Sequence, residues 1–110
     1  MPGASDIPVG NISYNFLLQA TLSPAQLAAS TTVEQTFAVG GLQVGDFIEV
    51  QKPTAQAGIG IVGSRVTAAG TLGITFVNAT AGTPTPTASE VYLIKVTRQE
   101  NPGSLPTAIV

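Results

Sequence analysis

The chain has 110 residues, of which 44% are hydrophobic and only 9% charged, yet no stretch approaches the ~20 consecutive apolar residues that a membrane helix needs. With no Cys and no His, the sequence excludes disulfides, a thiolate nucleophile and the commonest metal ligand, and a net charge of −2 with four cations argues against a nucleic-acid partner. A soluble surface normally carries about a quarter charged residues, so we expect one small domain whose surface is wetted by uncharged polar side chains or covered by another protein.

Two extended ends are predicted to flank a single β domain. Residues 1–10 contain two Pro and two Gly without periodicity, which is typical of an extended arm. Nothing in this arm reads as a secretory signal, so the expected compartment is the cytoplasm in which the protein is made. The β domain is predicted over residues 11–98, and a second Pro- and Gly-bearing end over residues 99–110.

Alternation of apolar and polar residues predicts the strands. The clearest begins near Asn11, where Ile12, Tyr14, Phe16 and Leu18 share one side. A tight connection at residues 68–70 predicts a hairpin, and Leu72, Ile74 and Phe76 are expected to face the core, as are Ile48 and Val50. The six predicted strands span residues 11–19, 32–39, 46–51, 59–67, 71–78 and 90–98. Ser23 and Pro24 favour one short helical turn over residues 23–29. The predicted fold is all-β, a single antiparallel β-sandwich or jelly-roll-like domain of about six to eight strands with extended termini.

A glycine motif needs an interpretation of its own. Residues 58–63 match the Gly-x-Gly-x-x-Gly dinucleotide fingerprint, which requires a strand before it and a helix after it. The sequence leaves no room for that helix before Gly70. We therefore interpret the glycines as residues of a strand that another backbone or a neighbouring subunit approaches closely, and we expect no cofactor.

The chain offers little for catalysis or for ligand binding. Asp46 and Glu49 are spaced to point to opposite faces of a strand, and Asp46 is expected to cap a turn through its own side chain. The Ser residues have no base, so we expect no enzyme, and we also expect no metal site. The glycosylation patterns at Asn11 and Asn78 are interpreted as chance matches. A loop-borne sugar or receptor site is an alternative, but Tyr14 and Tyr92 lie in predicted strands and are expected in the core.

The middle of the chain carries a family resemblance. The runs TTVEQTFAV (31–39), GLQVGDFIEV (41–50) and KPT (52–54), followed by GIGIVGSRVTAA (58–69) and TLGITFVNAT (71–80), resemble segments of small structural proteins of tailed bacteriophages. The resemblance covers residues 31–92. It implies a virion protein on the capsid exterior, a decoration (cement) protein that binds the major capsid protein and stabilises the head as a homo-oligomer, typically a trimer. The alternative is a head-fibre, tail or adhesin module that recognises a host surface.

The extended ends are the expected contact segments. Extended chain can lie along a neighbour and add strand pairing, and several sites on one oligomer raise avidity by about 10² to 10⁴. The uncharged, apolar side chains in the two ends are the candidate capsid or subunit contacts: Ile7, Val9, Leu105, Ile109 and Val110. The alternative is that both ends are frayed termini.

Overall fold

The computed structural model describes residues 10–101 and 103–108, and these form six β-strands and no helix. The strands are β1 (Ile12–Leu22), β2 (Thr31–Ala38), β3 (Phe47–Gln51), β4 (Ile59–Ala68), β5 (Thr71–Asn78) and β6 (Glu90–Gln99). All six predicted strands are present. Only the end of β1 lies more than one residue from its predicted place, because the alternation continues through Ala20 to the buried Leu22.

The strands form two antiparallel sheets of three strands each. Sheet A has the order β1-β6-β3, and sheet B has the order β2-β5-β4. β3 lies beside β4, where the Ser64 hydroxyl donates a hydrogen bond of 2.9 Å to the Ile48 carbonyl and so connects the two sheets. The prediction of an all-β, sandwich-like domain is therefore confirmed.

The core lies between the two central strands, β5 and β6. Leu72, Ile74 and Phe76 are fully buried, as predicted, because each central strand is flanked on both sides within its sheet. Ile48 is buried and Val50 packs against the core, also as predicted. The buried hydrophobic residues are Leu22, Leu27, Leu42, Ile48, Val66, Leu72, Ile74, Phe76, Tyr92, Ile94 and Val96.

The prediction that both tyrosines fill the core is half wrong. Tyr92 is buried, but Tyr14 is 57% exposed. β1 is an edge strand, and Tyr14 pairs with Arg98, beyond Val96, the last core residue of β6. The Arg98 guanidinium carbon lies 5.9 Å from the centre of the Tyr14 ring, so the ring contacts a cation instead of the core.

The predicted helical turn over residues 23–29 is also wrong. This segment contains no helix, and its polar groups bind the long loop before β6. The Leu27 N–H donates to the Pro84 carbonyl at 2.9 Å, and the Ser89 N–H donates to the Ser23 hydroxyl at 2.9 Å. These long-range hydrogen bonds replace the local ones that a helical turn would make.

The glycine motif lies in and just before β4, which continues to Ala68, so no helix follows it. Gly58 lies just before β4 with a φ of +76°, and a side chain there would clash with Thr80 Cγ2, which is a side-chain atom. The predicted close approach of another backbone to a strand glycine is therefore not seen at this position. At Gly60 and Gly63 the nearest atoms to a built Cβ lie at 3.4 and 3.9 Å, which is ordinary contact. The hairpin between β4 and β5 is confirmed, with Gly70 at a φ of +71° in its tight turn.

Candidate interaction surface

Of the five predicted contact residues, the structure describes one. Leu105 is 52% exposed and lines a shallow depression together with Ile12 and Phe47 at one end of sheet A. The other four, Ile7, Val9, Ile109 and Val110, lie outside the described residues. The predicted contact at Leu105 therefore adjoins an exposed surface of the sheet itself, which the sequence did not identify.

The outer face of sheet A, meaning the side chains that point away from the core, is rich in exposed apolar residues. Leu17 and Phe47 are 62% and 66% exposed, and Val91 and Leu93 are 47% and 41% exposed. Large apolar patches on a monomer often mark interaction sites. Leu17 lies diagonally to Leu93, and Val91 follows Leu93 on the same face, whereas Phe47 lies opposite Thr97, beyond Lys95 and Glu49. The face consists of Asn15, Leu17, Gln19, Thr21, Phe47, Glu49, Gln51, Val91, Leu93, Lys95 and Thr97.

The two charges on this face have no ionic partner among the described residues. Glu49 lies directly opposite Lys95 in the β3–β6 pairing, and Leu17 lies opposite Lys95 on the other side. The three ion pairs of the described chain are all elsewhere, and they use the other three cations. Glu49 and Lys95 are thus free to pair with groups on a partner.

The outer face of sheet B is different, because Thr, Gly and an ion pair dominate it. The Arg65 guanidinium donates two hydrogen bonds to the Glu34 carboxylate, at 2.8 and 2.9 Å, and holds the pKa of Glu34 below its usual value. The pair spans Gly73, where an added Cβ would lie 2.8 Å from Thr67 Cγ2 and 2.9 Å from Glu34 Oε2. The Thr hydroxyls of this face can bind water, and its Glu34 and Arg65 side chains already bind each other. The outer face of sheet A is therefore the better candidate for an interface.

The edge of sheet A formed by β1 is unprotected. β1 has 11 residues, none of them charged, Pro or Gly, and among the described residues its backbone bonds only to β6. Proteins usually protect edge strands with charges, Pro, bulges or short length. The other three edges follow this rule, since β3 is short and carries Glu49, β2 carries Glu34, and β4 carries Arg65. β1 has only one irregularity, near its start at Ser13.

Asp46 caps a turn, as predicted, and it also binds Arg98. The Asp46 carboxylate accepts the Gln43 N–H at 2.9 Å and two Arg98 N–H groups at 2.8 Å each. These Arg98 hydrogen bonds hold the pKa of Asp46 below its usual value despite burial. Glu49 is exposed on the outer face of sheet A, so the two carboxylates do not share a site.

Asn78 has a structural function that the sequence did not reveal. Its side chain is 1% exposed and donates to the carbonyls of Ala28 and Gly82, at 2.9 Å each. Its amide oxygen accepts the N–H and the hydroxyl of Thr80, at 2.9 and 2.7 Å. An Asn two residues before a Thr at a strand end is a sequence signal for this turn. The same residues also match the glycosylation pattern, so the sequence allowed both interpretations.

Within residues 10–101 and 103–108, no three acidic side chains come together as metal ligands would. The described chain also has no helix of the length and apolarity needed to span a membrane. Comparison with protein families, with curated proteins and with solved structures finds no match to this chain. The resemblance over residues 31–92 therefore stays a prediction from the sequence.

Proposed function

We propose that the protein is a capsid decoration (cement) protein of a tailed bacteriophage, which binds the outside of the head and stabilises it as a homo-oligomer. The observation that supports a surface-binding function is the exposed apolar outer face of sheet A, on a domain with few charges. The phage assignment comes from the sequence resemblance. The proposed partner is the major capsid protein, and the proposed location is the virion exterior after synthesis in the bacterial cytoplasm.

The chemistry of the outer face of sheet A suits docking onto a preformed protein shell. Burying an exposed Leu or Phe side chain is worth about 1.5 to 3 kcal/mol, and the face offers Leu17, Phe47, Val91 and Leu93. Much of this is lost to the entropy of association and to ordering of side chains, so a single copy would bind weakly. A homo-oligomer compensates through avidity, by about 10² to 10⁴. The resemblance implies three copies.

Binding of this kind would stabilise the head by linkage. A ligand that binds the assembled shell and not its separated subunits shifts the equilibrium towards the shell, by about 2.7 kcal/mol when its concentration is 100 times its dissociation constant. No catalysis is required. A disulfide-free β-sandwich that folds by packing alone is sufficient for this task.

The experiment compares two substitutions at sites of similar exposure. Phe47 lies on the outer face of sheet A and is 66% exposed, whereas Val62 lies on β4 of sheet B and is 61% exposed. We expect Phe47→Glu to abolish co-sedimentation with undecorated capsids, because it places a second carboxylate beside Glu49 and removes apolar contact. Val62→Glu should bind as the unaltered protein does. Circular dichroism and thermal unfolding of both variants check that each one folds.

Two outcomes would contradict the proposal. If the unaltered protein does not sediment with capsids, the cement function is wrong. If Phe47→Glu and Val62→Glu bind equally well, docking does not use the outer face of sheet A. Copy number in purified virions separates the alternative, since a fibre or adhesin module would be present at far fewer copies than there are capsomers.

A further inference from the structure

We infer that β1 of one copy pairs antiparallel with β1 of a second copy, about a two-fold axis at Leu17. The contact would join two copies of sheet A into one continuous six-stranded sheet. This inference goes beyond the proposed function and does not depend on it, because it concerns the chain and its own copy. It is based on the open edge of β1, on the sequence of β1 and on the exposure of three of its side chains.

The first step is the free hydrogen-bonding capacity of the strand. In an antiparallel sheet, every second residue of an edge strand directs its N–H and C=O outward, where no neighbouring strand accepts them. β1 presents such groups over 11 residues, and no partner among the described residues uses them. A second strand of equal length would satisfy them.

The second step is self-complementarity. A two-fold interface brings the same surface patch of both copies together, so each residue must suit its own counterpart. Leu17 is the midpoint of Ile12–Leu22, so full-length antiparallel pairing places it opposite itself. Apolar residues then lie opposite apolar ones on the inner side, and polar residues lie opposite polar ones on the outer side. Within the regular part of β1 the pairs are Phe16 with Leu18, Tyr14 with Ala20, and Asn15 with Gln19. The register shift at Ser13 places Ile12 on the outer side, opposite Gln99 of β6.

The third step is the exposure that the pairing would remove. Ile12, Tyr14 and Leu17 are 52%, 57% and 62% exposed in the isolated chain. In the paired state Leu17 would contact its own counterpart, and Tyr14 would contact Ala20 of the second copy. Cross-strand pairs of this type stabilise sheets, and like charges placed directly opposite destabilise them. β1 has no charge, so self-pairing meets no such repulsion.

This contact joins two copies and no more, because each β1 edge binds the other and neither remains free for a third copy. A three-copy assembly of the kind that the resemblance implies would use a surface other than the β1 edge and the outer face of sheet A. The two contacts can coexist, and then the particle would contain an even number of chains.

Cysteine cross-linking tests the pairing, since the chain has no Cys of its own. Two Leu17→Cys residues on the axis would have Cα atoms about 4.5 to 5.5 Å apart, within the range that a disulfide spans. We expect mild oxidation to convert most of this variant to a disulfide dimer. Val62→Cys, at a site of matched exposure, should stay monomeric on denaturing gels. Equal cross-linking of the two variants, or none in Leu17→Cys, would overturn the inference.

A second pair of variants tests the register and remains informative if Leu17→Cys fails to fold. Asn15→Cys chains and Gln19→Cys chains, refolded together, should form a mixed disulfide. Neither variant should cross-link alone, because each cysteine then lies opposite a residue without a thiol. Absence of the mixed species would show that the edge is empty or holds another occupant, such as residues 1–9 of this chain or a strand of a different protein.

Light scattering gives an independent result. Leu17→Lys would place two ammonium groups together on the axis, so it should halve the mass of the particle, while Val62→Lys should leave the mass unchanged. An odd number of chains in the unaltered protein, or an unchanged mass for Leu17→Lys, would overturn the inference.

Discussion

Asp46 stabilises one end of the sandwich with its buried carboxylate. The side chains of Asp46 and Arg98 are only 2% and 16% exposed, and the Arg98 guanidinium also donates to the Gly41 carbonyl at 2.9 Å. Removing one member of a buried ion pair leaves the other without compensation. We expect Asp46→Ala to lower the free energy of unfolding by about 3 kcal/mol, measured by urea denaturation. Glu49→Ala, at an exposed carboxylate, should change it by less than about 0.5 kcal/mol.

The same pair predicts how stability depends on acidity. Arg98 holds the pKa of folded Asp46 below its usual value, whereas the unfolded carboxyl titrates near 4. As the pH falls, the unfolded chain therefore binds the proton first, and unfolding becomes more favourable. The stabilisation should be complete above about pH 4 and be lost below it. Asp46→Ala should show a smaller acid loss than the unaltered protein, and equal losses in the two would contradict this role.

Tyr92 buries a hydroxyl that has no hydrogen-bond partner among the described residues. Its removal sacrifices no hydrogen bond, so Tyr92→Phe should leave the unfolding free energy unchanged or raise it by up to about 1 kcal/mol. Burial, with a smaller effect of the Glu90 charge, raises the pKa of Tyr92 to about 12.

Alkaline titration adds a second measurement to the Tyr92 prediction. The unfolded phenol ionises near pH 10, two units below the folded one, so ionisation favours unfolding as the pH rises from about 10 towards 12. Tyr92→Phe should lack this part of the alkaline loss of stability. A clear destabilisation of the variant at neutral pH would show that the hydroxyl is bonded after all.

Asn78 joins the end of β5 to two loops with its four hydrogen bonds. Truncation would leave buried N–H and C=O groups unpaired. We expect Asn78→Ala to cost at least about 2 kcal/mol of unfolding free energy, measured by thermal or urea denaturation. Asn101→Ala, at an exposed position, is the matched control, and equal effects of the two would refute the structural role of Asn78.

Individual strands could be predicted because their signals are local. Alternation marks which residues share a side, and a positive φ at Gly70 explains the turn between β4 and β5. Alternation does not show whether a side is covered. Tyr14 was expected in the core since it is in phase with Phe16, and its exposure follows from the edge position of β1, which long-range pairing determines.

The connections between strands were less predictable, because their conformation depends on distant residues. The capping pattern at Ser23 favours a helical turn locally, but the Ser23 hydroxyl and the Leu27 N–H find partners in the loop that contains Pro84 and Ser89. Local propensity is a weak determinant where tertiary hydrogen bonds compete with it.

At the scale of the whole molecule, the low content of charged residues corresponds to two different kinds of surface. The outer face of sheet B is wetted by Thr and by the Glu34–Arg65 pair, whereas the outer face of sheet A exposes Leu17, Phe47 and Leu93. Composition predicted both kinds of surface without dividing them between sheets. The candidate surface draws on residues that are far apart in the chain, so only strand order brings them together.

Strand order also governs the sequence of events during synthesis. The three strands of sheet B are complete once Asn78 has left the ribosome, and they occupy consecutive or nearly consecutive positions in the chain. Sheet A differs, because its central strand, β6, is the last of the six described strands in the chain, and among the described residues β1 and β3 form ladders only with β6. We therefore expect sheet A to form later and more slowly than sheet B, because β1 can pair with β6 only after all six strands have been made.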